Sequence, residues 1–261
     1  MRKPTDKEIK EAQDYIKLRL RAEISMQNHL NEALIQAASE IITVSEKYDI
    51  PPRMFRFSAN GKLKSEIDEI ISNLRKLIYE YTETLSVYDR EEEKEEIIAF
   101  INKESHGKTL SERINIYCNR YRFEIESAIA AGLIAGISNK AIEDSIKNNL
   151  SSPYNNPYFR KAVVEGDSVA TRIQTDGISY GVGRSNSAFN SLNTLTRYAI
   201  GSSWMWHWGM IGEKNGATGF YSFRGSSYPC DECQSHAGIF QPMSAYYGEY
   251  HLHCKCIFVF V

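Results

Sequence analysis

The interpretation of this sequence depends on two short stretches near its end, YPCDEC (228–233) and HLHCKC (251–256). Together they hold four of the five cysteines in the 261-residue chain. The first pair has the spacing Cys-x2-Cys, which lets one tight turn present two thiolates to the same metal ion. The second pair has the spacing Cys-x-Cys, which places both side chains on one face of an extended strand. The pattern predicts a zinc ion that joins a loop to a C-terminal strand.

The sequence offers more candidate ligands than one zinc ion requires. The predicted ligands are Cys230, Cys233, His251, Cys254 and Cys256. His253 is an alternative to His251. A tetrahedral structural site takes four ligands, and the sequence leaves open which four these are. Because the candidates outnumber the positions, we predict no vacant position for catalysis and interpret the site as structural.

Other interpretations of the cysteines stay open at this point. Disulfides are disfavoured because we recognise no secretory signal before Lys7, and cytosolic thiols stay reduced. A redox-active Cys-x2-Cys normally begins a helix in a βαβ unit, which the sequence does not predict here. Cys118 lies on the apolar stripe of a predicted helix and is interpreted as a buried free thiol. A nucleophilic cysteine assisted by His236, His251 or His253 is incompatible with thiols that all bind metal.

The composition is that of a soluble globular protein. The apolar fraction is 42%, the charged fraction is 25%, and the net charge is −2, which gives no overall attraction to nucleic acid or to anionic membranes. The longest apolar stretch, residues 128–137, is too short to span a bilayer. We therefore expect a protein without a membrane segment, located in the cytoplasm or in an assembled particle.

Helical periodicity dominates the first 150 residues. Capping boxes at 5–8 and 109–112 predict the starts of two helices. The first of these is predicted to continue to about Tyr48. Another long helix is predicted to begin after Gly61 and to pass through the charged run 89–96 without a break. These helices predict an N-terminal helical body at residues 1–150.

The periodicity changes in the last third of the chain. A glycine-interrupted helix is predicted from Phe159 to about Leu192. The alternating tryptophans in 204–208 predict a strand, interpreted as the core face of a small sheet in preference to a base-stacking platform. Asn215-Gly216 predicts a hairpin turn into a strand at 220–224, and residues 257–261 predict a final strand. The predicted fold class is α+β and predominantly helical, with a zinc-stapled α+β module at 151–261.

From about Ala128 onward the chain resembles the phage head morphogenesis family, the Mu F-like minor head proteins. Residues 131–138 and 170–176 are similar to two segments of that family. The tryptophan stretch, the Cys230-x2-Cys233 pair and the His251-x2-Cys254-x-Cys256 group match its closing module, which is the most specific of the three. The chain departs from the family pattern at 252, where leucine replaces the usual proline, and at 255, where lysine replaces arginine.

The resemblance implies a role in building the head of a tailed phage or prophage. The implied partners are portal and scaffold or capsid proteins, with weak contact to double-stranded DNA. The implied location is the virion head, and the host cytoplasm during assembly. The module implies no enzymatic activity, no catalytic residues and no small-molecule substrate.

Two other functions compete with this interpretation. A zinc deaminase would share the Pro-Cys-x2-Cys motif, but it also needs an upstream His-x-Glu or Cys-x-Glu, and no histidine or cysteine upstream of Cys230 is followed by glutamate at that spacing. A zinc-ribbon protein would bind nucleic acid through Lys214, Arg224 and Lys255, with Tyr246 and Tyr247 stacking on bases. Binding to random DNA that weakens steeply with salt would favour this second function.

Overall fold

A computed structural model describes residues 2–158 and 187–261 of the chain. Its helices are α1 (Asp6–Ser45), α2 (Gly61–Val87), α3 (Lys94–Asn102), α4 (Leu110–Ile134), α5 (Asn139–Asn148), α6 (Ala188–Lys214) and α7 (Asp231–His236). Its strands are β1 (Gly219–Phe223), β2 (Phe240–Pro242) and β3 (Ile257–Phe260), which form one antiparallel sheet in the order β2-β1-β3. The predicted class, predominantly helical α+β, is confirmed. Within the described residues, no helix is both long and apolar enough to cross a membrane.

The chain forms two compact units, and each is built from separate stretches of sequence. The first unit comprises Met1–Gln27, Thr82–Lys103 and Thr196–Val261, and it contains the whole sheet. The second comprises Asn28–Tyr81 and Glu104–Leu195. The sequence-based division into a helical body at 1–150 and a zinc-stapled module at 151–261 stays a prediction.

Both predicted capping boxes begin helices. The Thr109 hydroxyl accepts the Glu112 backbone N–H at 3.3 Å, and the Glu112 carboxylate accepts the Thr109 backbone N–H at 2.7 Å. The same reciprocal pair of bonds links Thr5 and Glu8. Each box satisfies backbone N–H groups that the first turn of a helix leaves without partners.

The prediction of one unbroken helix from Gly61 through the charged run is wrong. Helix α2 ends at Val87, and Asp89 has a positive φ of 59°, which a helix cannot contain. The next residue, Arg90, is buried and lies over the Trp204 ring, 4.0 Å from its centroid. Its guanidinium also donates to the Ser86 carbonyl and to the Tyr15 hydroxyl. These contacts favour a break in the helix at Asp89, because they hold the Arg90 side chain of the charged run in the interior of the first unit.

The tryptophans belong to α6, so the predicted strand at 204–208 is wrong. Trp204 and Trp208 are four residues apart and share one face of this helix, where both contact Tyr15. Trp206 lies on another face and stacks on Phe100 at 5.0 Å. A helix that packs on several sides carries apolar residues at every second position as readily as a strand does. Over five residues the two patterns cannot be distinguished.

Asn215-Gly216 ends a helix and does not form the predicted hairpin. Gly216 has a φ of 74°, its N–H donates to the Glu213 carbonyl, and the Ala217 N–H donates to the Gly212 carbonyl. This is the pattern of a glycine-terminated helix. The two strands predicted to follow are present as β1 and β3. They pair with Phe220 opposite Phe260, and Phe220 and Phe258 are buried beneath the sheet.

In the second unit, the segment 131–138 joins α4 to α5. Gly132 lies so close to Ile142 that an added Cβ would be 2.4 Å from its Cγ1 atom. The Ser138 hydroxyl accepts the Ala141 backbone N–H at 3.3 Å and so caps the start of α5. The helix predicted from Phe159 to about Leu192 lies outside the described residues as far as 186, and so does the family-like segment 170–176. Residues 188–192 are helical, at the start of α6.

Candidate metal site

Two turns in the first unit position the candidate ligands. Cys230 directly precedes α7 and Cys233 lies in its first turn, and the Gln234 N–H closes this turn on the Cys230 carbonyl at 3.0 Å. The second turn precedes β3 and is closed by a bond of 3.0 Å from the Cys254 N–H to the His251 carbonyl. His253 within it has a positive φ of 62°. Both turns are short, so each presents its ligand atoms from a fixed backbone.

The five predicted ligands lie together. The His251 Nε2 atom is 3.3 Å from the Cys230 sulfur and 3.0 Å from the Cys233 sulfur. The Cys233 and Cys254 sulfurs are 3.8 Å apart. Tetrahedral coordination with zinc–sulfur bonds of about 2.3 Å places two sulfurs about 3.8 Å apart. The cluster is therefore compatible with a metal site, and its donors are those of a tetrahedral thiolate–imidazole centre.

The cluster consists of two overlapping groups whose ligand atoms lie within 4.8 Å of one another. One contains Cys230, Cys233 and His251, and the other contains Cys233, Cys254 and Cys256. Cys233 belongs to both groups, so its sulfur lies within 4.8 Å of a ligand atom of each of the other four candidates. His253 belongs to neither group among the described residues.

The five candidate ligand residues differ in how deeply they are buried. Cys233, Cys254 and Cys256 are buried, Cys230 is half-buried, and His251 is exposed. The Cys256 backbone N–H points at the Cys254 sulfur at 3.5 Å, a contact that stabilises a thiolate. The three buried thiols pack in one apolar cluster with Phe220 and other core residues. An ion here would be shielded by protein on one side and reached from solvent on the other.

The imidazole of His251 is oriented for metal binding. Its Nδ1 atom is 3.0 Å from the Leu252 carbonyl oxygen, which can only accept, so we assign the proton to Nδ1. This leaves the Nε2 lone pair facing the sulfurs. Metal-binding histidines usually have their second nitrogen held in this way. The same bond to Leu252 raises the pKa of His251.

The thiols have very unequal proton affinities. Hydrogen bonding from Cys256 lowers the pKa of Cys254 to about 5, and a bond from the Cys233 backbone N–H lowers that of Cys230. Burial raises the pKa of Cys233 to about 12, and the bond that Cys256 makes to Cys254 raises the pKa of Cys256. Some of the thiols thus keep their protons at neutral pH until a cation replaces them, which couples metal binding to proton release.

Arg19 of α1 is a part of this site that sequence reasoning missed. Its side chain is 1% exposed, and it donates to the Cys254 carbonyl and, at 2.6 Å, to Glu249. Its Nε lies 3.3 Å from Glu23, which also pairs with Arg197 at 3.1 Å. In sequence, Arg19 and Glu23 resemble an ordinary surface pair at i,i+4. Only the folded chain shows that they hold the ligand loop.

The comparisons with known proteins give no relative. No family model, curated protein or solved structure matches the chain.

Proposed function

We propose that one structural zinc ion binds at this cluster and fixes the C-terminal segment of the chain. The observation that carries the proposal is the convergence of four thiols and one imidazole from two separate turns. Thiolates and imidazole in tetrahedral arrangement favour zinc over the oxygen-seeking metals. Cys230, Cys233 and Cys254 would supply three ligands, and the fourth would be His251 or Cys256.

The proposed role of the ion is to stabilise the fold. The sheet has strands of only three, four and five residues, joined by long loops. Strands this short are marginal on their own, so metal-binding energy would supply part of their folding energy. Five donors for four positions leave no ligand vacancy for a substrate, which favours a structural role over catalysis.

We further propose that the protein is a minor head protein of a tailed phage or prophage. This rests on the resemblance of the sequence to the Mu F-like family, and the cysteines and His251 of the closing module are the residues that cluster here. In this role the protein would associate with portal and scaffold or capsid proteins during head assembly, with weak contact to packaged DNA. It would be found in the host cytoplasm first and in the virion head afterwards.

Metal analysis of the purified protein tests the zinc site. We expect about one zinc per chain, and loss of most of it in Cys230→Ser or Cys254→Ser. Cys118→Ser is the matched control, because that buried thiol lies in the second unit and outside the cluster. Zinc below about half an equivalent in protein never exposed to chelator would overturn the proposal.

Co-expression tests the assembly role separately. The chain is produced together with the portal protein encoded in the same genome, and the complex is isolated through a tag on the portal. We expect both proteins to elute together, and we expect mass spectrometry to find the chain in purified heads. Absence from heads, with zinc still bound, would overturn the assembly role and leave the zinc site standing.

A further inference from the structure

The thiols of the metal site differ in their access to solvent. The contact between the Cys230 sulfur and the His251 Nε2 atom is exposed, whereas the contact between the Cys233 and Cys254 sulfurs is buried. Cys230 itself is half-buried, and the residues directly before and after it are exposed. A small oxidant in solution therefore reaches the Cys230 sulfur more easily than the buried sulfurs.

Cys233 is the thiol placed to react with Cys230. The ligand atoms of the two residues lie within 4.8 Å of each other, in a group that contains no other thiol among the described residues. A short turn joins them, closed by the Gln234 N–H on the Cys230 carbonyl at 3.0 Å. Two cysteines in a Cys-x2-Cys turn can form a disulfide with each other. Cys233 is thus shielded from an oxidant but within reach of an oxidised Cys230.

We propose that the Cys230–Cys233 pair is a redox switch of the zinc site. The switch rests on the zinc proposal, because both thiolates are proposed ligands of the same ion. Oxidation to a disulfide removes two donors at once, and one of them, Cys233, is the donor that the two groups share. His251 then remains from one group, and Cys254 with Cys256 from the other. Neither group keeps three donors, so the site loses its affinity for zinc.

The oxidant in this proposal is a peroxide. Its O–O bond breaks as the Cys230 thiolate takes up one oxygen to form a sulfenic acid, and the other oxygen leaves as hydroxide. The Cys233 thiolate then attacks the Cys230 sulfur, the S–S bond forms, and a second hydroxide leaves. The two sulfurs lose two electrons, which the peroxide gains, and no change in the oxidation state of zinc is required. A dithiol reverses the step by thiol–disulfide exchange and lets zinc bind again.

Treatment of the zinc-loaded full chain with a stoichiometric amount of hydrogen peroxide tests the switch. A chromophoric chelator reports released zinc, and mass spectrometry after thiol alkylation and proteolysis locates the disulfide. We expect release of most of the zinc and a disulfide between Cys230 and Cys233. Cys118, Cys254 and Cys256 should be recovered as free thiols. Dithiothreitol followed by fresh zinc should restore the original zinc content.

Two variants separate the switch from the ligand role of Cys230. Cys230→His keeps a zinc donor at this position but has no sulfur to oxidise, so it should hold its zinc through the same treatment. Cys118→Ser is the control, because that thiol lies outside the cluster, and it should release zinc as the unaltered chain does. The disulfide map of the unaltered chain decides the question even where Cys230→His does not load zinc.

Zinc retained by the peroxide-treated chain, or a disulfide that includes Cys254 or Cys256, would overturn the switch and leave the zinc site standing. Release that dithiothreitol does not reverse would also overturn it, because sulfinic and sulfonic acids are not reduced by a dithiol. A chain without zinc before the peroxide is added would overturn both proposals, so the two failures are distinguishable.

Discussion

Replacement of Arg19 by methionine tests whether α1 holds the metal-binding loop. The buried guanidinium pairs with Glu23 and Glu249 and donates to the Cys254 carbonyl. Removing one partner from a buried ion pair typically lowers stability by about 3–5 kcal/mol, because the remaining charge has no counter-ion. Glu23 keeps its contact with Arg197, so the loss should arise mainly at Glu249 and at Cys254.

The assay combines urea unfolding with zinc competition by a chromophoric chelator. We expect Arg19→Met to lower the free energy of unfolding by about 3 kcal/mol and to release zinc faster. Arg21→Met is the matched control, since Arg21 is exposed on the same helix, and it should change neither quantity. The double variant Arg19→Met/Glu249→Gln should recover part of the loss, because it removes the unpaired charge. A loss below about 1 kcal/mol in Arg19→Met would refute the reasoning.

The remaining predictions concern burial and close packing. Burial raises the pKa of Glu124 from 4.5 to about 7, so folded stability should fall as the pH rises from about 4.5 through 7 and the buried carboxyl ionises. Glu124→Gln should therefore raise stability by up to about 3 kcal/mol at about pH 8.5 and leave it unchanged at about pH 4, as thermal melts can measure. Cys118→Ser should cost about 1–2 kcal/mol with its zinc content intact, which metal analysis and melts report together. Gly225→Ala should weaken zinc retention, because an added Cβ would lie 1.8 Å from the Lys255 carbonyl oxygen; unchanged retention in a chelator assay would contradict this.

Sequence patterns within a few residues were sufficient to predict much of the helical part of the fold. The capping boxes at Thr5 and Thr109 depend on residues three apart, so the sequence contains the whole interaction. The sequence did not predict the helix break at Asp89, because the contact that stabilises the break joins residues far apart in the chain. Arg90 turns inward to reach Trp204, more than a hundred residues away in the chain. No window of local periodicity contains that contact.

The candidate site was also predictable only in part: the sequence indicated the thiols, but not which histidine lies beside them. Cysteine spacing predicted all four thiols of the cluster, because Cys230 and Cys233 share one short turn and Cys254 and Cys256 are separated by a single residue. The choice between His251 and His253 depended on the backbone: His253 has a positive φ, and the imidazole near the sulfurs belongs to His251. The sequence contains no local signal for such a choice, since both histidines have the same ligand chemistry.

The position of Arg19 shows why the site cannot be treated as a C-terminal module alone. Thiol spacing predicts a metal ion that joins a loop to the C-terminal strand, and the carbonyl of Cys254 in that loop is also held from α1. The first compact unit accordingly contains residues from both ends of the chain. Metal binding and docking of the N-terminal part of α1 should therefore stabilise each other, because both depend on the loop that contains Glu249 and Cys254. Zinc removal should then expose the first half of α1 to hydrogen exchange as well as the C-terminal strands. Unchanged exchange in residues 6–27 after zinc removal would show that the two ends fold independently.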